Sequence, residues 1–362
     1  MTIGILREPD DDRVALVPAG GGKLSQLGAS ILVEAGAGLT SFFSDADYTT
    51  SGAVVAQRGE IIAKADLLIS IQPPAKEVLD SIPQGTHLMA LFAPFDHPEV
   101  VEDLQQRQLH AFSFDMVPRS SLAQSMDILS SMASIAGYRA VLRAAELLPR
   151  YLPMMITAAG TVKPAKVLVL GAGVAGLQAI ATAKRLGAQV EASDVRLAAK
   201  EEVESLGAQF IQVEGATEDS DAGGYAVAQS EDFLQRQREE VARRCAKADV
   251  VITTALVRGR KAPILLNKET VEQMSPGSVV IDLAAGGGGN CELTQNGQLI
   301  DHQGVKILGD SNLAAGLPQD ASTLFSNNVV NLLKLMVKDE TWSVTANHEI
   351  LEAARITPSP TN

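Results

Sequence analysis

Hydrophobic positions along the chain fall into short runs separated by polar or helix-periodic segments. Residues 2–6, 30–34, 67–71, 88–92 and 111–116 are predicted strands, with a helix over 18–27 after the polar turn at Asp10 to Asp12. Such alternation predicts parallel strands joined by crossover helices. From Ser121 the period changes: Met126, Leu129, Met132, Ala133, Ala136 and Ala140 recur at helical spacing until Pro149 and Pro153 end the pattern. A second strand series follows at 167–170, in the run ending at Asp194, and at 209–213, 249–253, 278–283 and 306–309. A helix over 323–337 is expected to cross back to the first domain. The predicted fold class is α/β, with two Rossmann-like doubly wound parallel-sheet domains joined by long helices and a nucleotide in the cleft between them. Residues 1–130 with 320–362 make the first domain, and 131–319 the second.

One stretch carries chemistry. In KVLVLGAGVAGLQAIATAKRLGAQVEASDVR, residues 166–196, the glycines fall as G-x-G-x-x-G at Gly171, Gly173 and Gly176. In a dinucleotide-binding unit the first allows a tight turn, the second lets the backbone approach a pyrophosphate, and the third lets the helix pack on the sheet. Alone the motif is weak, because 30 of 362 residues are glycine. Its context raises it: a strand before, a helix after, then a strand ending in Asp194, 23 residues beyond Gly171. An acid there accepts ribose hydroxyls and repels a 2′-phosphate, which favours NAD over NADP. Arg196 argues the other way, and Asp194 outweighs it by sitting at the strand end. The alternative is an ordinary strand–helix–strand unit without ligand.

Composition narrows the classes. A chain of 362 residues with 46% apolar and 20% charged content is a soluble globular protein with room for two domains. A net charge of −13 disfavours nucleic acid as a partner. Cys245 and Cys291 lack metal-ligand spacing and fit a reducing cytosol. The early charges of MTIGILREPDD do not suit a signal peptide, and no apolar run reaches the roughly 18 residues of a membrane span.

Four polar clusters lie near expected strand ends. Arg119, Gln124, Asp127 and Ser130 surround a helix start; the last three, spaced i, i+3, i+6, are placed to share a face, and helix capping by Ser120 or Ser121 is the alternative. The acidic, glycine-rich stretch 214–231 with Gly224 and Tyr225 reads as a lid or as a surface loop. AAGGGGN at 284–290 reads as a close backbone approach or as a floppy turn, and Thr253 to Leu256 borders the same crevice. His87, His97, His110, His302 and His348 form no metal signature, and His97 reads more readily as a solvated loop histidine than as a catalytic one.

Assembled, these residues resemble the NAD(H)-binding component of proton-translocating NAD(P) transhydrogenase. The pattern IGILRE, RVALVP, LGASILVEAGAG is shared with alanine dehydrogenase; VPRSSLAQSMDILSS, PMMITAAGTVKPAKVLVLGAGVAGLQAIATAKRLGA, TTALVRGRKAP and VVIDLAAGGGGNC are more specific. The resemblance implies that Arg119, Gln124 and Asp127 orient the nicotinamide with Ser130 close by. It likewise gives Gly171, Gly173 and Val174 to the pyrophosphate turn and Asp194, Val195 and Arg196 to the adenosine ribose. Gly224 and Tyr225 would belong to a mobile loop that closes over the nucleotide, with Gln237 on its return limb and Leu256 beside the cofactor. It further implies a homodimer, an NADP(H)-binding partner subunit and a membrane proton-channel subunit. The chain would then be cytoplasmic and peripheral to the inner membrane through its partners, and its end near residue 362 resembles the separate soluble subunit of the split arrangement.

Comparison with the dehydrogenase branch sharpens the expectation. Reducing an imine or carbonyl moves a proton with the hydride, and alanine dehydrogenase uses a lysine and a histidine for it. Here ISIQPP places Gln72 at the lysine position, and LMALFAP shows no histidine. Arg13, matching a substrate-carboxylate arginine, remains. Transfer between two nicotinamides needs positioning and a dry site instead. The rivals are an alanine-dehydrogenase-like enzyme and a catalytically silent NAD-sensing module.

Overall fold

A computed structural model describes residues 1–212, 231–257, 259–338, 341–343 and 348–358. The chain forms two compact units, Met1–Met132 with Ala314–Asn362, and Ala133–Leu313.

In the first unit, β1 (Thr2–Ile5), β2 (Ser30–Glu34), β3 (Val54–Ala56), β4 (Leu67–Ile69), β5 (His87–Ala90) and β6 (His110–Ser113) form one sheet in the order β3-β2-β1-β4-β5-β6. Every pairing in it is parallel. The strand order reverses between β1 and β4, the switch point at which open α/β sheets take ligands. Central β4 is buried throughout, as expected of a parallel strand covered on both faces. The helix Pro318–Lys334 starts earlier than its apolar period suggested, because Pro318 supplies a preorganised first turn. Its Ser322 and Ser326 hydroxyls accept from the Val14 and Val17 N–H groups at 2.9 and 3.2 Å.

In the second unit a small antiparallel hairpin, β7 (Met155–Thr157) and β8 (Gly160–Val162), precedes the main sheet. That sheet comprises β9 (Lys166–Leu170), β10 (Gln189–Ser193), β11 (Gln209–Phe210), β12 (Val250–Thr253), β13 (Val279–Asp282), β14 (Gln298–His302) and β15 (Val305–Gly309). Its order is β11-β10-β9-β12-β13-β15-β14. All pairings are parallel except β14 with β15. The hydrophobic pattern does not show β14, since QLIDH has no buried residue and therefore no apolar run. It also missed the short, half-exposed β3.

The long helix runs over Ile128–Leu147, and the residues ahead of it form a separate 3-10 turn, Gln124–Met126. The expected start at Ser121 is therefore too early. Within the second unit this helix meets the start of the helix Val174–Arg185 backbone to backbone. A Cβ on Gly137 would lie 2.1 Å from the Ala175 carbonyl oxygen. No described helix is long and apolar enough to cross a membrane.

The contact at Gly137 gives a direct expectation. Gly137→Ala forces the two helices apart and lowers stability by about 1–3 kcal/mol, the usual cost of overpacking. A urea titration of the variant against the parent checks it, and an unshifted midpoint would contradict the close approach.

Candidate functional site

The chain leaves β9 at Gly171, whose φ of 101° lies in the left-handed region that favours glycine. Its N–H donates to the Ser193 carbonyl at 2.8 Å, tying the turn to the end of β10. Gly173 is the N-cap of the helix Val174–Arg185, and no side chain caps it. The first-turn N–H groups thus lack a side-chain acceptor at the positive end of the helix dipole. The three motif glycines have different surroundings. A Cβ on Gly171 would sit 2.5 Å from Thr254 Oγ1, and one on Gly176 only 1.9 Å from the Gly171 carbonyl oxygen. One on Gly173 would meet nothing within 4 Å. Packing therefore demands the outer glycines, while the middle one borders open space beside an uncapped helix start, a geometry that a diphosphate fits. Val174 is 45% exposed at the same turn.

Asp194 follows β10 and closes on this turn. One carboxylate oxygen, Oδ2, accepts from the Ala172 N–H at 2.7 Å and from Arg196 Nη2 at 3.0 Å. The other, Oδ1, accepts from the Arg196 N–H at 2.8 Å and its Nε at 3.0 Å. Burial works to raise the Asp194 pKa; the Arg196 guanidinium and the two backbone amides outweigh it, and the group titrates below the usual carboxylate range. The Arg196 guanidinium is thus engaged by the acid at the strand end. Val195 between them is half-buried.

The ends of β12 and β13 form a second support. Thr254 Oγ1 donates to the Gly171 carbonyl at 3.0 Å. Asp282, at the end of β13, is fully buried. It accepts from Thr253 Oγ1, Thr294 Oγ1 and the N–H groups of Ala284, Asn290 and Cys291 at 2.7–3.0 Å. AAGGGGN is therefore wound around a carboxylate and is not a floppy turn; Gly288 and Gly289 take φ of 101° and 82° to do it. Sequence periodicity did not mark Asp282 or Asn290, because most of their partners are backbone groups. Leu256 is 57% exposed beyond Thr254, and Gln237 is half-buried in the helix Glu231–Cys245. Gly224 and Tyr225 lie outside the described residues.

In the first unit, Arg119 and Gln124 are exposed and Gln124 lies in the 3-10 turn. Asp127 immediately precedes the long helix, with Oδ1 accepting from the Ser130 N–H at 2.9 Å and Oδ2 from its hydroxyl at 2.6 Å. Gln124, Asp127 and Ser130 thus do not share one helix face, and the cap is Asp127 rather than Ser120 or Ser121. Gln72 follows β4, and its N–H donates to Glu8 Oε2 at 3.2 Å. Arg13 is buried, with its Nε on Asp11 Oδ1 at 2.8 Å. His97 is exposed, with Nδ1 3.3 Å from Glu99 Oε1.

Sequence reasoning overlooked Glu8. It is 5% exposed beside the switch point of the first sheet, and burial pushes its pKa up from 4.5 to about 7 against the opposing pull of the Ile71 and Gln72 N–H groups. Between those values the folded chain holds a proton that the unfolded chain has released, so stability falls as pH rises through that interval. The full effect is roughly 3 kcal/mol, on the order of 1.4 per pKa unit. Denaturant titrations from pH 4.5 to 8 should show this slope in the parent chain and lose it in Glu8→Gln; an unchanged slope would assign the effect elsewhere.

Comparison with known proteins places the chain. The model described as alanine dehydrogenase/PNT, N-terminal domain, matches residues 4–136, and that of the C-terminal domain matches 140–359. The chain is 47% identical over 351 residues to the first part of NAD(P) transhydrogenase subunit alpha of Rhodospirillum rubrum, covering 95% of this chain and 91% of that protein. The crystal structure of transhydrogenase from Sinorhizobium meliloti matches with a TM-score of 0.91 at 41% identity, over 99% of this chain and 98% of that one. An L-alanine dehydrogenase structure matches with a TM-score of 0.76 at 25% identity, over 98% of this chain and 99% of that one. With both domain models matched and nearly its whole length aligned, the chain belongs to the alanine dehydrogenase/PNT family.

Proposed function

We propose that this chain is the NAD(H)-binding subunit of a proton-translocating NAD(P) transhydrogenase, working with an NADP(H)-binding partner subunit and a membrane proton-channel subunit. NADH supplies the hydride, and NADP⁺ on the partner receives it. The turn Gly171–Ala172–Gly173 and the uncapped start at Val174 receive the diphosphate, with Gly176 keeping the helix close to the sheet. Asp194, Val195 and Arg196 face the adenosine ribose, and Leu256 lies against the dinucleotide. Arg119, Gln124, Asp127 and Ser130 orient the nicotinamide end; Asp127 already fixes Ser130, so the pair acts as one polar unit. By the family resemblance alone, Gly224, Tyr225 and Gln237 are assigned to the same nucleotide site.

The observation that carries this reading is the Asp194–Arg196 pair at the strand end beside the glycine turn. The guanidinium that would otherwise attract a 2′-phosphate is held by the carboxylate that repels one. At the carboxyl end of β4, Gln72 stands at the relevant strand end and Arg13 is paired with Asp11, while Glu8, whose pKa burial raises to about 7, has both carboxyl oxygens engaged by the Ile71 and Gln72 N–H groups. Hydride transfer between nicotinamides asks only for orientation and exclusion of water. A homodimer is supported by strand β7 and the segment leading into it, where Tyr151, Met154 and Ile156 are 58%, 57% and 72% exposed. Attachment to the membrane would be peripheral, through the partner subunits.

NADH should bind at least tenfold more tightly than NADPH, about 1.4 kcal/mol, and Asp194→Ala should narrow that gap. Equal affinities in the parent chain, measured by titration of nucleotide fluorescence, would sink the role given to Asp194. Mixed with an NADP(H)-binding partner, the chain should reduce NADP⁺ analogues with NADH, and Gln124→Ala should slow transfer on the order of a hundredfold through misplacement of the ring. Reduction of NAD⁺ by L-alanine without a partner would favour the dehydrogenase reading instead.

A further inference from the structure

The glycine-rich turn after β13 is not part of the motif that the dinucleotide reading uses, yet the second unit commits a dense set of polar contacts to it. Asn290 is fully buried. Its side-chain oxygen accepts from the Ala255 N–H at 2.9 Å, and its amide nitrogen donates to the Ala255 and Pro263 carbonyls at 2.8 Å each. One side chain thereby satisfies both backbone groups of Ala255, as a neighbouring strand would. Asn290 is itself held through its N–H by Asp282 Oδ2 at 2.8 Å. On the other side of Ala255, Thr254 rests on the glycine turn through the Gly171 carbonyl.

Gly287 adds a steric element. A Cβ there would lie 2.6 Å from Leu256 Cδ1, with its next contacts at 3.8 Å or beyond. An added methyl would therefore displace the tip of the exposed Leu256 side chain from the place it takes over Gly287, with no other close contact.

We infer that the segment Ala284–Asn290 is a positioning element for the cofactor site. Asn290 sets the backbone of Ala255, and Gly287 leaves the place where the Leu256 side chain lies. Together they hold Thr254 and Leu256 in register with the turn at Gly171. The inference rests on the proposed NAD(H) site and adds to it two residues that need not touch the nucleotide. It also explains the glycine run: Gly288 and Gly289 supply the left-handed turn that brings Asn290 back to Ala255, just beyond β12, and Gly287 supplies space.

The test is a set of NADH dissociation constants with melting temperatures for the parent chain, Gly287→Ala, Leu256→Ala, their double variant and Asn290→Ala. Ser278→Ala serves as control, removing a buried hydroxyl bond to the Ala248 carbonyl at the amino ends of β12 and β13, away from the turn. Gly287→Ala should weaken NADH binding about tenfold, equivalent to about 1.4 kcal/mol, with a melting temperature near that of the parent. The double variant should bind no worse than Leu256→Ala, because Gly287 acts through that side chain. Asn290→Ala should weaken binding and lower the melting temperature, whereas Ser278→Ala should lower the melting temperature alone. Parent-like NADH affinity in Gly287→Ala, or additive losses in the double variant, overturns the inference, and both can be read even if Asn290→Ala does not fold. A parent chain that binds no NADH overturns the site reading and this inference with it; a parent that binds beside unaffected variants overturns this inference alone.

Discussion

The carboxyl edge of the second unit depends on one buried carboxylate. Asp282 receives five hydrogen bonds from its own strand end, from β12 and from the glycine turn that follows. Hydrogen bonds to an ionised group contribute roughly 1.5–3 kcal/mol each, and leaving a buried donor unmatched costs about as much. Such a node leaves the surrounding backbone little freedom. Through Asn290 and Ala255 its influence reaches Thr254, and through Thr254 the Gly171 turn. The dinucleotide fingerprint is thus braced from behind by residues outside the fingerprint.

Acids of the first unit are likewise engaged by the chain itself. Glu8 takes the N–H groups of Ile71 and Gln72 at 2.6 and 3.2 Å, Asp11 takes Arg13, and Asp127 takes both polar groups of Ser130. These bonds give acceptors to three backbone N–H groups, one hydroxyl and the guanidinium of a buried arginine. The carboxyl end of β4 is accordingly built around Glu8 and Gln72, with no lysine at that strand end.

Much of the architecture is legible in the chain. Central parallel strands are buried on both faces, so LLI, VVIT and VVID are continuous apolar runs. The edges are harder: β14 alternates poorly and carries no buried side chain, and β3 spans three residues. At the site, Gly171 and Gly176 were readable because a strand–turn–helix crossing tolerates no side chain at either position. The face proposed for Gln124, Asp127 and Ser130 failed, since equal spacing implies a shared face only inside one helix and a 3-10 turn interrupts it.

Sequence by itself determined the α/β class, the position of the nucleotide fingerprint, the acid at its end and the family. These follow from local periodicity, from fixed spacings and from long motif runs. Tertiary structure alone decided which polar groups meet. It bound Arg196 to Asp194, raised the Glu8 pKa by burial, and turned four glycines and an asparagine into a brace around Asp282. The physical reason is the same throughout: a hydrogen bond to a backbone amide depends on where the chain passes, and any residue passing there offers the same donor, so no residue type announces it.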